Sequence, residues 1–152
     1  MKLESLSDVL TFAIRKEHDA RELYLLFRDM VKDPGAKTLL GELADQELGH
    51  KGMLEDILKS GRVGTIGGKK PVADLHISDH LVAEEIGPSS TPQDIMLFAM
   101  KSEQASHDLY SMLKGNYPGT ELEGLFSRLA QEELRHKATL EREYEEHFMQ
   151  WM

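Results

Sequence analysis

The sequence contains no cysteine. This excludes disulfide bonds, thiolate zinc sites, cysteine-ligated iron–sulfur clusters, rubredoxin-type iron and a cysteine nucleophile. Basic residues are also fewer than acidic ones. The sequence has 18 Lys and Arg against 27 Asp and Glu, which gives a formal net charge of −9. Nonspecific nucleic-acid binding requires a basic surface, so we expect no nucleic-acid partner.

The sequence also has no long apolar run and no pattern typical of a secretion signal. No stretch approaches the roughly 20 apolar residues that a transmembrane helix needs. The first four residues are too charged for a signal peptide, and a helix is predicted directly after them. We therefore expect a cytoplasmic protein without a membrane partner. A length of 152 residues suits a single domain with one core.

Strand patterns are nearly absent, and helix boundaries are well marked. Helix-start and helix-stop residues divide the chain into two helical hairpins, at about residues 5–60 and 91–150. Capping residues precede the first and third helices at Ser5 and Thr91. The second helix is predicted to begin at about Ala36, after a loop at Asp33-Pro34-Gly35.

A linker at residues 61–90 joins the two hairpins. A helix of about 25 residues is about 37 Å long, and an extended chain covers up to roughly 3.3 Å per residue. The linker is therefore long enough to return along the whole bundle. Two antiparallel hairpins joined by one long crossover predict an all-α, ferritin-like four-helix bundle.

One motif occurs twice in the same register. The segment Glu-x-x-His at residues 47–50 recurs 86 residues later, at residues 133–136. The same offset relates single Glu and Tyr residues on the first and third helices. The pairs are Glu17 with Glu103, Tyr24 with Tyr110, Glu47 with Glu133, and His50 with His136.

Each predicted helix carries one apolar seam, which is traced by steps of three and four residues. The polar residues of the repeat interrupt the middle of each seam. On the first and third helices the seams are Leu10, Ala13, Glu17, Ala20, Tyr24, Phe27 and Val31, and Met96, Ala99, Glu103, Ser106, Tyr110 and Leu113. On the second and fourth they are Leu40, Leu43, Glu47, His50, Leu54 and Ile57, and Phe126, Leu129, Glu133, His136 and Leu140. The interruptions lie at similar depth, so the four Glu and two His side chains are predicted to converge.

Burying these six groups without a partner would be very costly, and no Lys or Arg lies on the seams to provide one. Two divalent cations would balance four carboxylates. Glu and His three residues apart share one face of a helix, so both can reach the same metal. Carboxylate and imidazole ligands suit iron or manganese. The competing interpretation is a duplicated bundle whose acidic residues are exposed or meet the cations of a partner.

The sequence resembles the rubrerythrin branch of the ferritin-like superfamily in residues 16–24, 44–50 and 131–136. The resemblance implies a non-haem centre of two iron ions that reacts with hydrogen peroxide or oxygen; manganese or a mixed pair would fit the same ligands. It also implies that the tyrosines hydrogen-bond the ligating carboxylates. The implied ligands are Glu17, Glu47, His50, Glu103, Glu133 and His136, with Glu47 and Glu133 as bridges and Tyr24 and Tyr110 beside them.

Two features depart from the family pattern. Classical rubrerythrins carry a cysteine-ligated iron domain, so this chain would need an external electron donor such as a rubredoxin-like protein. They also carry a second acid three residues after the third-helix Glu, where this sequence has Ser106. The remaining ligand set also resembles that of bacterioferritin.

Three functions follow from these patterns. The first is reduction of hydrogen peroxide or oxygen, as in oxidative-stress defence; the second is ferroxidase or iron-handling activity; the third is a metal-stabilised interaction module without turnover. We also expect a homodimer, because Phe148, Met149, Trp151 and Met152 form an apolar tail. Side-by-side packing and an exchange of hairpins between chains would both give such a dimer.

Overall fold

The computed structural model describes residues 5–61 and 90–151, and all regular structure within these ranges is α-helical. The four helices are α1 (Leu6–Met30), α2 (Pro34–Lys59), α3 (Pro92–Asn116) and α4 (Glu121–Trp151). Packing is most extensive within the pairs α1–α2 and α3–α4, so the helices form two hairpins. The predicted all-α four-helix bundle is confirmed. The linker lies outside the described residues, except at its two ends.

Local capping explains where the helices begin. The Ser5 hydroxyl accepts the Asp8 backbone N–H at 3.2 Å, and Thr91 and Asp94 form a reciprocal capping box. The helix α2 begins at Pro34, two residues before the predicted start. The reason is that Asp33 caps it through the Ala36 N–H, and proline at the first helical position sacrifices no hydrogen bond.

The apolar core consists of two clusters at opposite ends of the bundle. One contains Leu10, Leu54, Leu113 and Phe126, and the other contains residues such as Phe27. Along every helix, the polar residues of the seam lie between the two clusters. The clusters therefore exclude water from both ends of the polar layer.

The predicted seams are confirmed, with two exceptions. All other seam residues are buried, whereas Ala20 on α1 and Ser106 on α3 are only half-buried. These two positions are 86 residues apart in the repeat, and both line a cavity between α1 and α3. Their small side chains do not fill the space between these helices, which is why they remain partly exposed.

Within residues 5–61 and 90–151, no helix combines the length and apolar character that crossing a bilayer demands. The helix α4 includes the backbone as far as Trp151, but the side chains after His147 lie outside the described part of the structure. The predicted role of the apolar tail therefore remains a prediction.

Candidate metal centre

The structure brings all six predicted ligand side chains together at mid-height in the bundle. None is more than 4% exposed. Their donor atoms form two overlapping groups, in each of which all atoms lie within 4.8 Å of one another. The first group is Glu17, Glu47, His50 and Glu133, and the second is Glu47, Glu103, Glu133 and His136.

Glu47 and Glu133 belong to both groups. Each group otherwise holds one further carboxylate and one imidazole, so the two halves have the same composition. This is the arrangement expected when two cations share two bridging carboxylates. The repeat in the sequence therefore corresponds to an approximate two-fold symmetry of the site.

Three carboxylate oxygens in this cluster lack hydrogen bonds within the described structure. They are Oε2 of Glu17, Oε2 of Glu47 and Oε2 of Glu103, and all three are inaccessible to solvent. A buried acceptor without a donor is costly, so these atoms require a cation or a proton. The donor set of oxygens and imidazole nitrogens therefore fits a pair of divalent transition-metal ions.

The two buried tyrosines each hold one carboxylate of the other hairpin. The Tyr110 hydroxyl on α3 donates to Glu17 Oε1 on α1 at 2.5 Å, and the Tyr24 hydroxyl on α1 donates to Glu103 Oε1 on α3. In each glutamate one oxygen is thereby fixed while the other is left for a metal. The structure thus places both tyrosines beside the carboxylates, where the resemblance implies them to be.

Both histidines direct Nδ1 toward the carboxylates. His50 Nδ1 lies 2.8 Å from Glu133 Oε1 and 3.5 Å from Glu17 Oε2. His136 Nδ1 lies 2.8 Å from Glu47 Oε1. The two rings are nearly parallel, with 5.8 Å between their centroids. Each imidazole therefore offers Nδ1 to one half of the site.

The carboxylates divide into two classes by acidity. Burial and the charges of Glu103 and Glu17 raise the pKa of Glu47 and of Glu133 well above the usual range. Burial also opposes ionisation of Glu17 and Glu103, but hydrogen bonds outweigh it and lower the pKa of both. Burial lowers the pKa of His50, but Glu133 and Glu17 outweigh it and raise that pKa to about 11. Without a metal, burial and mutual repulsion therefore favour the protonated form of the shared carboxylates.

Sequence reasoning missed the partners of the outer histidine nitrogens. His50 Nε2 hydrogen-bonds Glu132 Oε2, and His136 Nε2 hydrogen-bonds Gln46 Oε1 at 2.5 Å. These acceptors immediately precede Glu133 and Glu47 in the sequence and are themselves 86 residues apart. The repeat equates position 46 with position 132, but it does not indicate that either residue contacts a histidine.

A cavity of about 280 Å³ leads from the surface to one side of the cluster, between α1 and α3. Phe12, Leu23 and Phe98 supply apolar wall, and Glu103 lies at the cavity lining. Lys16 also lines it, and burial lowers the pKa of this amine despite nearby carboxylates that raise it. The cavity therefore gives a small molecule access to the Glu103 side of the centre.

Comparison with known proteins supports the assignment of these residues to a metal centre. Residues 8–77 match the model of the rubrerythrin family. The chain is rubrerythrin-like. Its fold is also similar to that of a hypothetical protein from Pyrococcus furiosus, with a TM-score of 0.67, 29% identity, and coverage of 93% of this chain and 89% of the other. No curated protein matches the chain.

The family match covers α1 and α2, which supply Glu17, Glu47 and His50. The second hairpin lies outside the matched range, yet it places Glu103, Glu133 and His136 in equivalent positions. The internal repeat thus extends the rubrerythrin-like pattern to the half of the chain that the family model does not cover.

Proposed function

We propose that this rubrerythrin-like chain holds two iron ions and reduces hydrogen peroxide or oxygen with electrons from a separate carrier. The proposed ligands are Glu17, Glu47, His50, Glu103, Glu133 and His136. Manganese or a mixed pair would fit the same donors. The observation that carries the proposal is the pair of overlapping four-residue groups that share two carboxylates.

A bound iron pair would supply two electrons by passing between the diferrous and diferric states. Reduction of one hydrogen peroxide to two water molecules consumes two electrons and two protons, so the pair must afterwards be reduced again. The sequence has no cysteine that could ligate a rubredoxin-type iron. We therefore assign the electrons to an external donor such as a rubredoxin-like protein.

The protein's own groups position the ligands and supply protons. Tyr110 and Tyr24 hold one oxygen of Glu17 and Glu103, which restricts the motion of the carboxylates. The cavity between α1 and α3 admits a small oxidant and shields it from bulk water by its apolar walls. Lys16 Nζ carries an exchangeable proton on the cavity wall, and its lowered pKa eases release of that proton.

Ferroxidase activity is the second candidate, and Ser106 is the observation that favours it. In the rubrerythrins that this sequence resembles, an acid stands at this position and takes part in rearrangement of the centre. Here a half-buried serine lines the cavity beside Glu103. A centre without that carboxylate retains the six-ligand set that also suits oxidation of Fe(II) and its onward transfer.

Stopped-flow oxidation of the anaerobically reduced, iron-loaded protein separates these functions. A faster reaction with hydrogen peroxide than with oxygen supports the peroxidase. A faster reaction with oxygen, with uptake of more than two irons per chain, supports the ferroxidase. Inertness toward both oxidants would contradict turnover and leave a metal-stabilised interaction module. Glu42→Gln is a suitable control, since Glu42 is an exposed acid outside the cluster.

A further inference from the structure

The outer partners of the two histidines break the symmetry of the site. His50 Nε2 bonds the carboxylate of Glu132, and His136 Nε2 bonds the side-chain amide oxygen of Gln46. These partners occupy the same place in the repeat. The inner groups of the two halves are matched, with a carboxylate, a tyrosine and two shared carboxylates in each.

Both outer partners perform one common task. An acceptor at Nε2 favours the tautomer in which the ring proton lies on Nε2, which leaves the Nδ1 lone pair free for a metal. Glu132 and Gln46 are therefore positioning residues. They set the tautomer and the ring orientation without touching the metal.

The two partners differ in charge. A carboxylate that accepts the Nε2 proton makes the imidazole a stronger electron donor at Nδ1, and it places a negative charge near the metal. An amide oxygen is neutral and accepts a weaker hydrogen bond. The half that contains His50 therefore favours a cation more strongly than the half that contains His136.

Two arginines near Glu132 could weaken this effect. Arg128 and Arg135 lie 3.1 Å and 3.8 Å from Glu132 Oε1, but their side chains are 63% and 71% exposed. Exposed ion pairs are weakened by solvent. The Oε2 atom of Glu132 instead contacts the buried ring of His50 directly. The histidine therefore retains a charged partner.

We propose that Glu132 makes the two metal positions unequal, so that the position containing His50 and Glu17 binds a divalent ion first and more tightly. This proposal rests on the dinuclear site proposed above. Removing the hydrogen-bond partner of a metal-ligating histidine typically changes metal affinity by roughly 10- to 100-fold. We expect two resolved binding steps that differ by at least about tenfold.

Calorimetric titration of the full, chelator-stripped chain with cobalt(II) tests the inequality. Glu132→Gln should weaken the first step by about tenfold and bring the two steps together. The reciprocal variant Gln46→Glu should strengthen the second step. The repeat has a second difference near the site, because Lys16 is equivalent to Ser102. Neither residue is changed in either variant, so this difference does not affect the comparison.

Single-site backgrounds assign the steps to positions. Glu103→Gln impairs the His136 half, and Glu17→Gln impairs the His50 half, while each amide can still accept the tyrosine hydrogen bond. Adding Glu132→Gln should weaken cobalt binding in the Glu103→Gln background and have little effect in the Glu17→Gln background. Melting curves of the metal-free variants verify that each is folded.

The outcomes separate this proposal from the one on which it rests. If wild-type protein binds no cobalt pair, the dinuclear site itself is wrong. If it binds two ions with equal affinity, or if Glu132→Gln acts equally in both backgrounds, the site stands and the inequality is wrong. Failure of Gln46→Glu to strengthen the second step would also contradict the role of charge.

Discussion

Tyr110 on α3 donates its hydroxyl proton across the bundle to Glu17 on α1, with 2.5 Å between the two oxygens. Tyr24 and Glu103 form the reciprocal bond. Each hairpin therefore fixes a carboxylate of the other. These two reciprocal hydrogen bonds link the halves of the repeat at the level of the proposed metals, where the packing is otherwise polar.

Tyr110→Phe should destabilise the metal-free protein by about 1.5–3 kcal/mol, because a buried carboxylate loses its donor. Urea denaturation in the presence of a chelator measures the change. Tyr144→Phe is the matched control, since it removes a hydroxyl that accepts an exposed hydrogen bond from Gln93. The control should change the free energy of unfolding by no more than about 0.5 kcal/mol. Equal effects of the two substitutions would contradict the proposed role of Tyr110.

The metal-free protein should lose stability as the pH rises above 6.5, the unperturbed pKa of histidine. The pKa of His50 is raised to about 11 in the folded state, and those of Glu47 and Glu133 are raised above 4.5. The folded protein therefore binds more protons than the unfolded chain in this window. The stabilisation is fully present below the unfolded pKa values and is lost as the pH rises through the folded ones.

Thermal melting in chelator between pH 6.5 and about 9 measures this slope. Saturating manganese(II) should flatten or reverse it, because the metal replaces the protons. A metal-free melting temperature that rises across the window would show that the cluster does not hold the extra protons.

Ser106→Glu should increase the preference of the iron-loaded protein for hydrogen peroxide over oxygen, because it restores the acid that the rubrerythrin pattern has at this position. We expect the ratio of peroxide to oxygen rate constants to rise at least about tenfold, equivalent to about 1.4 kcal/mol in relative barrier height. Ser102→Glu adds an acid to the same cavity one turn earlier and is the matched control. A ratio that is unchanged, or changed equally by both variants, would show that the missing acid does not set the preference.

The sequence was sufficient to predict the four helices and the six clustered residues, because one repeat specified both. Glu47 and Glu133 occur at the same position in two copies of a helical pattern, and inward-facing seams can converge only in a bundle. The cross-bundle pairing of Tyr110 with Glu17 depends on how the hairpins pack. Periodicity along a single helix does not contain that information.

The seam pattern also could not predict two local features of the structure. Ala20 and Ser106 fit the seam, but their size leaves a cavity instead of a filled core, and this depends on the spacing between α1 and α3. Glu132 and Gln46 lie one residue outside the seam, so a rule that selects buried positions passes over them. Their importance follows only from the direction in which the histidine rings point.

The protein should be a homodimer in solution. The apolar tail after residue 147 and the equivalence of the two hairpins are the reasons for this prediction. Light scattering at low micromolar concentration should give twice the 17.2 kDa mass of one chain. A mass of 17.2 kDa alone would rule out a stable dimer.

If a dimer forms, complementation tests for exchange of hairpins. One chain would carry Glu17→Ala and Glu47→Ala, and the other Glu103→Ala and Glu133→Ala. Recovery of one intact metal site after mixing indicates exchange, and no recovery indicates side-by-side packing.

The most direct test of the central claim is the number of iron ions bound per chain when both shared carboxylates are removed. Wild-type protein, reduced and loaded anaerobically, should retain two ions per chain after desalting. Glu47→Ala combined with Glu133→Ala should retain none, since both proposed bridges are gone. A matched double variant at exposed acids, Glu42→Ala with Glu145→Ala, should still retain two. Retention of two ions by the Glu47→Ala, Glu133→Ala protein would contradict the proposed metal centre.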